Sequence, residues 1–240
     1  MKRGTGLALM LATVIAAPLA AVPAQAAPSG ERRAPSIRVT PNPALIRADR
    51  ATWVDVTVDF EGPRNFYDGV LVEMKANSGV GYGYQNLTDP ENDGVWTGRV
   101  KFDTLNATPG KWRVESSAID ADTGDEVQGP GTAFSFKAVT RLSAAVKPKK
   151  VRKGGPLKVG GRLQGVSVVG YEDLAKRQVK IYYRQQGKKK WSLAGKAKTN
   201  SLGRFTKTFR PKKSGSILLV WSGNSLYAPS KSKSIAFRVG

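Results

Sequence analysis

Apolar and polar residues alternate along most of the chain beyond residue 36, in short runs separated by Gly, Pro, Asn and Asp. This pattern is typical of β-strands with one buried face, and the same stretches carry no convincing helical period. Two sets of seven short strands with regular turn signals favour two β-sandwiches over barrels. The predicted strands are 37–40, 52–60, 69–76, 81–87, 95–102, 111–119 and 133–139, then 142–147, 157–163, 179–184, 191–198, 204–209, 216–222 and 233–239.

The alternation also predicts which side chains of the first set face a core, because successive residues of a strand point to opposite sides of the sheet. Turn residues such as Asn92-Asp93-Gly94 separate the runs. The boundary between the sandwiches is expected near residues 139–141, with a short connection that limits their relative motion. The predicted inward residues are Val54, Val56, Val58, Val70, Val72, Met74, Trp96, Val100, Phe102, Trp112, Val114, Ala118, Phe134 and Phe136.

The first 26 residues have the features of a cleaved secretory signal peptide. Lys2 and Arg3 precede an apolar stretch over 7–21, and Ala24-Gln25-Ala26 supplies a small-x-small cleavage pattern. Residues 27–35 are expected to form a short flexible tail. The mature chain contains no later apolar stretch long enough to span a membrane. The sequence therefore predicts a secreted protein without a transmembrane segment.

Charge divides the chain into two unlike parts. Residues 27–139 carry a net charge of −4, whereas residues 140–240 carry 25 Lys and Arg against only Glu172 and Asp173. A domain so strongly basic favours an anionic partner. The predicted organisation is therefore an acidic sandwich over 36–139 followed by a strongly basic one over 140–240.

Histidine and cysteine are both absent from the whole chain. This excludes disulfides, zinc–thiolate sites, His-ligated metals and hydrolases of the Ser-His-Asp or Cys-His type. We therefore expect a protein that is not an enzyme and that needs no cofactor.

The basic residues of the second half concentrate in three runs, which occupy its first, third and fifth predicted connections. Because consecutive antiparallel strands alternate in direction, odd-numbered connections lie at the same end of a sandwich. Glu172 and Asp173 fall in the second connection, at the opposite end. The predicted anion-binding residues are Lys147, Lys149, Lys150, Arg152, Lys153, Lys188, Lys189, Lys190, Arg210, Lys212 and Lys213.

Three stretches of the second half resemble a known family. They are LSAAVKPKKVRKGGPLKVGGRL (142–163), VKIYYRQQGKKKWSLAGKAKTNSLGRFTKTF (179–209) and SGSILLVWSGNSLYAPSKSKS (214–234). Together they are similar to the immunoglobulin-like β-sandwich modules of secreted proteins from high-GC Gram-positive bacteria. The first half resembles bacterial immunoglobulin-like domains more loosely, through PGKWRVESSAIDADTGD (109–125). The resemblance implies an immunoglobulin-like fold for both sandwiches and implies no reaction.

Acidic residues of the first half cluster in two turns, and they leave two alternatives open. Calcium prefers six to eight oxygen ligands, so Asp89, Asp93, Asp120 and Asp122 could form a calcium site. Asp120-Ala121-Asp122-Thr123-Gly124 begins like an EF-hand loop but departs from that pattern afterwards. Paired carboxylates could instead hydrolyse a cell-wall glycan. The candidate acids are Asp89, Glu91, Asp93, Asp120, Asp122, Asp125 and Glu126.

Three tyrosines of the first half offer a weaker signal. Tyr82 and Tyr84 are expected on one strand face, where with Tyr67 they could form a platform on which a sugar stacks.

These observations favour a non-catalytic, monomeric secreted protein, associated with the cell wall. Its basic module is expected to bind an anionic cell-envelope polymer or polysaccharide. The acidic module is free to contact another secreted protein. Sequence-specific recognition of nucleic acid is not expected, because no stacked aromatics or groove motif accompany the lysines.

Overall fold

The computed structural model describes residues 34–62 and 64–240. The regular secondary structure of these residues consists of β-strands alone. The strands of the first half are β1 (Ser36–Thr40), β2 (Ala44–Ile46), β3 (Thr52–Asp59), β4 (Phe66–Ala76), β5 (Tyr82–Leu87), β6 (Val95–Phe102), β7 (Gly110–Asp120), β8 (Glu126–Gln128) and β9 (Thr132–Ala138). Those of the second half are β10 (Thr140–Lys147), β11 (Lys150–Val151), β12 (Leu157–Ser167), β13 (Gly170–Asp173), β14 (Gln178–Gln185), β15 (Ser192–Lys198), β16 (Arg204–Phe209), β17 (Gly215–Trp221), β18 (Ser230–Lys231) and β19 (Ile235–Val239).

The predicted all-β class is confirmed, and each predicted run coincides with an observed strand. The five strands that were not predicted are β2, β8, β11, β13 and β18, which contain only two to four residues each. A run of that length contains too few positions to show an alternation, so only pairing with a neighbour defines it.

The two halves have the same sheet order. In the first, β1-β3-β6 face the sheet β2-β9-β7-β4-β5, with β8 added beside β7. In the second, β10 and β16 flank β12, which also pairs β13, and the other sheet runs β11-β19-β17-β14-β15, with β18 beside β17. The strands β2 and β11 each pair parallel to the last strand of their sandwich. In each half the first strand, β1 or β10, belongs to the smaller sheet, and the second, β2 or β11, belongs to the larger sheet. Both halves are therefore immunoglobulin-like sandwiches.

Each sandwich buries its own cluster of apolar side chains between its sheets. All the side chains that the alternation assigned to the interior of the first sandwich are buried. At its centre Phe102, Trp112 and Phe136 meet edge to face, with ring centroids 4.8 to 5.4 Å apart. The second core is mainly aliphatic, with Leu157, Leu163, Ile217 and Leu219 among its fully buried members.

Backbone hydrogen bonds join the two sandwiches directly. The Ala138 amide donates to the Leu226 carbonyl and the Ala228 amide donates to the Ala138 carbonyl, both at 2.9 Å. Val166 and Tyr227 of the second sandwich pack against the first core. The described residues belong to one compact unit, so the division near residues 139–141 stays a prediction about domains.

The predicted signal peptide, residues 1–26, lies outside the described residues, as does the predicted tail except for Ala34 and Pro35. Those two residues precede β1 without regular structure. None of the described residues form a helix long and apolar enough to cross a membrane.

Candidate anion-binding surface

The three lysine-rich connections of the second sandwich lie together at one end of it. The first and the last are in direct contact, because the Gly154 amide donates to the Pro211 carbonyl at 2.8 Å and Arg210 Nη1 donates to the Gly154 carbonyl at 3.4 Å. The middle connection meets the last through the Gln186 amide, which donates to the Ser214 carbonyl at 2.9 Å. These connections are residues 148–156, 186–191 and 210–214, and the first of them, predicted as a turn, contains the short strand β11.

We call the predicted anion-binding cations in and beside these connections the basic pole. Every one of their side chains is exposed. The turns that carry them depend on glycine, since Gly154 and Gly187 have φ of +72° and +77°, which other residues adopt at a cost. The basic pole consists of Lys147, Lys149, Lys150, Arg152, Lys153, Lys188, Lys189, Lys190, Arg210, Lys212 and Lys213.

The two acidic side chains of the second sandwich lie at its other end. The sequence placed Glu172 and Asp173 in a loop, whereas the structure places them on β13, which pairs back onto β12. Asp173 lies opposite Gln164, about 23 Å along β12 from Leu157, the residue where β12 leaves the basic pole. Neither acid can therefore neutralise the lysines of the basic pole.

Asp173 is already paired where it lies. Its carboxylate accepts two hydrogen bonds from the Arg162 guanidinium, at 2.7 and 2.8 Å. These hydrogen bonds lower the pKa of Asp173 from its ordinary value. This acid holds the β12–β13 hairpin and is not free to act in a reaction.

Three cations that the sequence analysis did not assign to the basic pole lie next to it. Lys158 is opposite Lys147 in the β10–β12 pair, and Arg238 is opposite Lys150 in the β11–β19 pair. Arg184 and Arg238 line a cleft of about 520 Å³ between β14, β17 and β19. Lys158, Arg184 and Arg238 are single cations within strands and do not belong to a lysine run. The sequence therefore indicates their outward orientation only through the two-residue alternation of each strand.

The acidic turns of the first sandwich use their carboxylates to close the turns. Asp89 accepts hydrogen bonds from the Asp93 and Gly94 amides at 3.2 and 2.8 Å. Asp120 accepts from the Asp122 and Thr123 amides at 2.9 and 3.2 Å. Such turns need no ligand, because the backbone amides satisfy the carboxylates.

No three Asp or Glu side chains come together as a metal site among residues 34–62 and 64–240. Calcium binding at Asp89, Asp93, Asp120 and Asp122 therefore stays a prediction that this geometry does not support. Glycan hydrolysis needs a carboxylic acid whose pKa is raised so that it can donate a proton. The pKa of Glu73 is instead lowered, chiefly by the hydrogen bond from Lys75. The pKa of Asp173 is lowered by Arg162, so neither acid is suited to donate a proton in this way.

The structure brings two of the three candidate tyrosines together. The rings of Tyr82 and Tyr84 are 5.8 Å apart, and the Tyr82 hydroxyl donates to Glu73 Oε1 at 2.7 Å. This hydrogen bond raises the pKa of Tyr82 to about 12. Tyr67 lies opposite Ile119, about 20 Å along β4 from the residue that faces Tyr84. The three-tyrosine platform that the sequence left open is therefore not assembled.

Comparison with protein-family models finds no match, and comparison with curated proteins finds none either. Among solved structures, the chain is similar to the D0-D1 domains of intimin, at 17% identity and a TM-score of 0.28, over 83% of this chain and 98% of that one. The Escherichia coli adhesin FdeC matches at 11% identity and a TM-score of 0.39, over 86% of this chain and 64% of that one.

A fragment of intimin in complex with the intimin-binding domain of the translocated intimin receptor also matches. It is 14% identical, with a TM-score of 0.38, over 85% of this chain and 63% of that one. Superpositions at these TM-scores are loose. The immunoglobulin-like description therefore rests on the strand order and pairing of this chain itself.

Proposed function

We propose that this chain is a secreted, non-catalytic protein whose basic pole binds an anionic polymer of the bacterial cell envelope. The observation that supports the proposal is the contact of the first and last lysine-rich connections through Gly154, Pro211 and Arg210. That contact concentrates cations from distant parts of the sequence on one end of the sandwich. Export and cell-wall association follow from the signal-peptide pattern of residues 1–26 and from the resemblance to secreted bacterial modules.

The placement of the acidic side chains of the second sandwich away from the basic pole strengthens the proposal. The second sandwich contains two acidic side chains, and both lie on β13 at the far end. Each Lys or Arg near an anionic surface contributes about 1 kcal/mol, and salt screens the attraction beyond about 8 Å at physiological ionic strength. A surface of this kind binds a polyanion through many weak contacts, so its affinity should fall steeply as salt is raised.

A binding role also fits the chemistry of the side chains. The absence of histidine and cysteine from the chain excludes Ser-His-Asp and Cys-His hydrolases and His-ligated metals. In the two acidic turns, Asp89 and Asp120 accept hydrogen bonds from backbone amides. The exposed cations of the basic pole supply the charge that attracts an anionic polymer.

Retention on immobilised polygalacturonate at rising salt tests the proposal. The variant Lys149→Glu, Lys189→Glu, Lys212→Glu reverses one charge in each connection. We expect it to lower the apparent affinity at fixed salt by on the order of 100-fold, as three lost contacts of about 1 kcal/mol imply.

A matched control makes the same change of net charge elsewhere, at the exposed residues Lys101, Lys111 and Lys176. It should elute close to the unmodified protein. Equal weakening by both triple variants would mean that only total charge matters, and the basic pole would then have no specific role.

A further inference from the structure

The outer face of the larger sheet of the second sandwich carries cations that the basic pole does not include. On β14 the side chains of Val179 and Ile181 are buried. Lys180, Tyr182 and Arg184 alternate with these buried positions and therefore point outward, because successive residues of a strand face opposite sides. The face that they share continues across the neighbouring strands.

Lys180 lies in a row of like charges. Its register partner on β15 is Lys196, and its partner on β17 is Val220, which in turn pairs with Lys231 of β18. Adjacent strands are about 4.8 Å apart, so these three lysines start within about 15 Å of one another. Like charges placed directly opposite across two strands destabilise a sheet.

No ion pair among the described residues of the second sandwich compensates this repulsion. None of the ion pairs among the described residues includes Lys180, Lys196 or Lys231. Glu172 and Asp173 belong to the opposite sheet. A solubilising surface would not need cations in direct opposition, so this arrangement indicates a surface that an anion completes.

An apolar centre lies beside the lysine row. Tyr182 is opposite Leu218 on β17 and Leu193 on β15, and Leu193 is 51% exposed. Next to them the Arg184 guanidinium lies 4.6 Å from the centre of the Trp191 ring. We call the surface formed by this centre and the cations around it the basic face: Lys180, Tyr182, Arg184, Trp191, Leu193, Lys196, Leu218 and Lys231.

The basic face is continuous with the basic pole. Arg184 and Arg238 line the 520 Å³ cleft together with Lys188 of the pole. From Arg184 to Lys180 the distance along β14 is about 13 Å. An extended polymer held at the pole can therefore continue through the cleft and across the sheet to the lysine row.

The combination of charge and apolar surface favours one kind of anion. Sugar rings present apolar C–H faces with polar groups at their edges, so an acidic polysaccharide can lay its rings on Tyr182, Leu193 and Leu218 while its carboxylates meet the lysines. A polyanion without rings, such as polyphosphate, would use the charges alone. Nucleic acid bases need aromatic side chains spaced along a groove for stacking. The basic face contains two aromatic side chains, Tyr182 and Trp191, and the Arg184 guanidinium already lies over the Trp191 ring.

We propose that the basic face is a second binding surface, and that it holds a segment of an acidic polysaccharide in continuity with the basic pole. This inference rests on the proposed function, because it gives the chemical class of the same anionic polymer. It adds a surface that is formed by strands rather than by turns.

The variant Lys196→Glu tests the charge of the basic face. It replaces a repulsive cross-strand pair with an attractive one, so we expect a higher thermal unfolding temperature together with roughly tenfold weaker binding to polygalacturonate. Lys101→Glu, on an exposed position of the first sandwich, is the matched control. An unchanged affinity in a folded Lys196→Glu protein would overturn the inference.

The variant Tyr182→Ser tests the chemical class. We expect it to weaken the binding of polygalacturonate several-fold and to leave the binding of polyphosphate unchanged. Equal losses for both polymers, or tighter binding to single-stranded DNA than to polygalacturonate, would overturn the assignment to a polysaccharide.

Comparison with the triple variant of the basic pole separates the two proposals. Loss of binding in the pole variant but not in the Lys196→Glu or Tyr182→Ser variants would leave the proposed function standing and remove the basic face. Loss of polymer binding in the Lys196→Glu and Tyr182→Ser variants but not in the pole variant would show that the basic pole does not bind the polymer, and would overturn the proposed function.

Discussion

The outer faces of the two larger sheets differ in how they place like charges, although the strands have the same order. In the first sandwich Glu73 of β4 is opposite Glu115 of β7, and Lys75 is opposite Arg113. Each acid is also paired along its own strand, Glu73 with Lys75 and Glu115 with Arg113. The four charges therefore form a neutral cluster.

In the second sandwich the corresponding face has the repulsion without the neutralising pairs. Lys180 is opposite Lys196, and both acids of the sandwich belong to the other sheet. Because the strand order and the alternation are shared, the fold does not account for the difference. The architecture therefore fixes which positions face outward, whereas the charges at those positions differ between the two sandwiches.

Among the tests of this difference between the two sheet faces, the largest effect on stability is expected from placing lysines on the first sandwich where it now has glutamates. The variant Glu73→Lys, Glu115→Lys converts the neutral cluster into four cations. We expect its free energy of unfolding to fall by about 2 kcal/mol, since two ion pairs are lost and new repulsions appear. Affinity for polygalacturonate should rise by on the order of tenfold. Denaturant unfolding and salt elution measure the two effects.

The control for this exchange is Asp49→Lys, Glu91→Lys, which makes the same change of charge at exposed loop and turn positions outside the strands of that sheet. If the control binds the polymer as tightly as the sheet-face variant, the position of the charges has no importance and the comparison between the faces fails.

A smaller effect on stability is expected from the ion pair between Arg162 and Asp173 in the second sandwich. The pKa of Asp173 is lowered from its ordinary value of 3.8, chiefly by the hydrogen bonds from Arg162. The stability that the pair contributes is therefore present above pH 3.8 and is lost as the pH falls through the lower folded pKa. Asp173→Asn should be less stable than the unmodified protein at pH 7 and should lose less stability on acidification.

Thermal unfolding between pH 7 and pH 2 measures this difference, with Asp122→Asn as a control at an exposed turn position. Parallel pH profiles for Asp173→Asn and the unmodified protein would show that the pair does not contribute to stability.

The smallest effect is a local titration on the neutral face. Because the Tyr82 hydroxyl donates to the Glu73 carboxylate, the pKa of Tyr82 is raised to about 12. Glu73→Gln removes the negative charge and should return this pKa toward 10.0, its ordinary value. Ultraviolet titration, with Tyr82→Phe used to identify the signal, measures the shift. A titration that is the same with and without Glu73 would contradict the hydrogen bond.

Much of the fold could be predicted from alternation alone. Val54, Val56 and Val58 face the core as predicted, because a strand with one buried face must repeat its apolar residues every second position. The short strand β13 could not be predicted this way. Its four residues become a strand only by pairing with residues 164–167 of β12.

The candidate site divides in a similar way. The lysine runs were visible because consecutive cations stand out in a sequence, and their placement at one end followed from the alternating direction of antiparallel strands. The row of Lys180, Lys196 and Lys231 was not visible, since its members lie on three strands and meet only through the register of β15, β14, β17 and β18.

The sequence by itself determined the all-β class, the buried residues of the first sandwich and the unequal division of charge, because these depend on composition and on a two-residue period within single strands. Only the tertiary structure decided that Lys180 meets Lys196, that Asp173 is held by Arg162, and that Gly154 touches Pro211. The physical reason is that such contacts depend on which strands become neighbours and in what register, and hydrogen bonding and core packing between distant segments settle both.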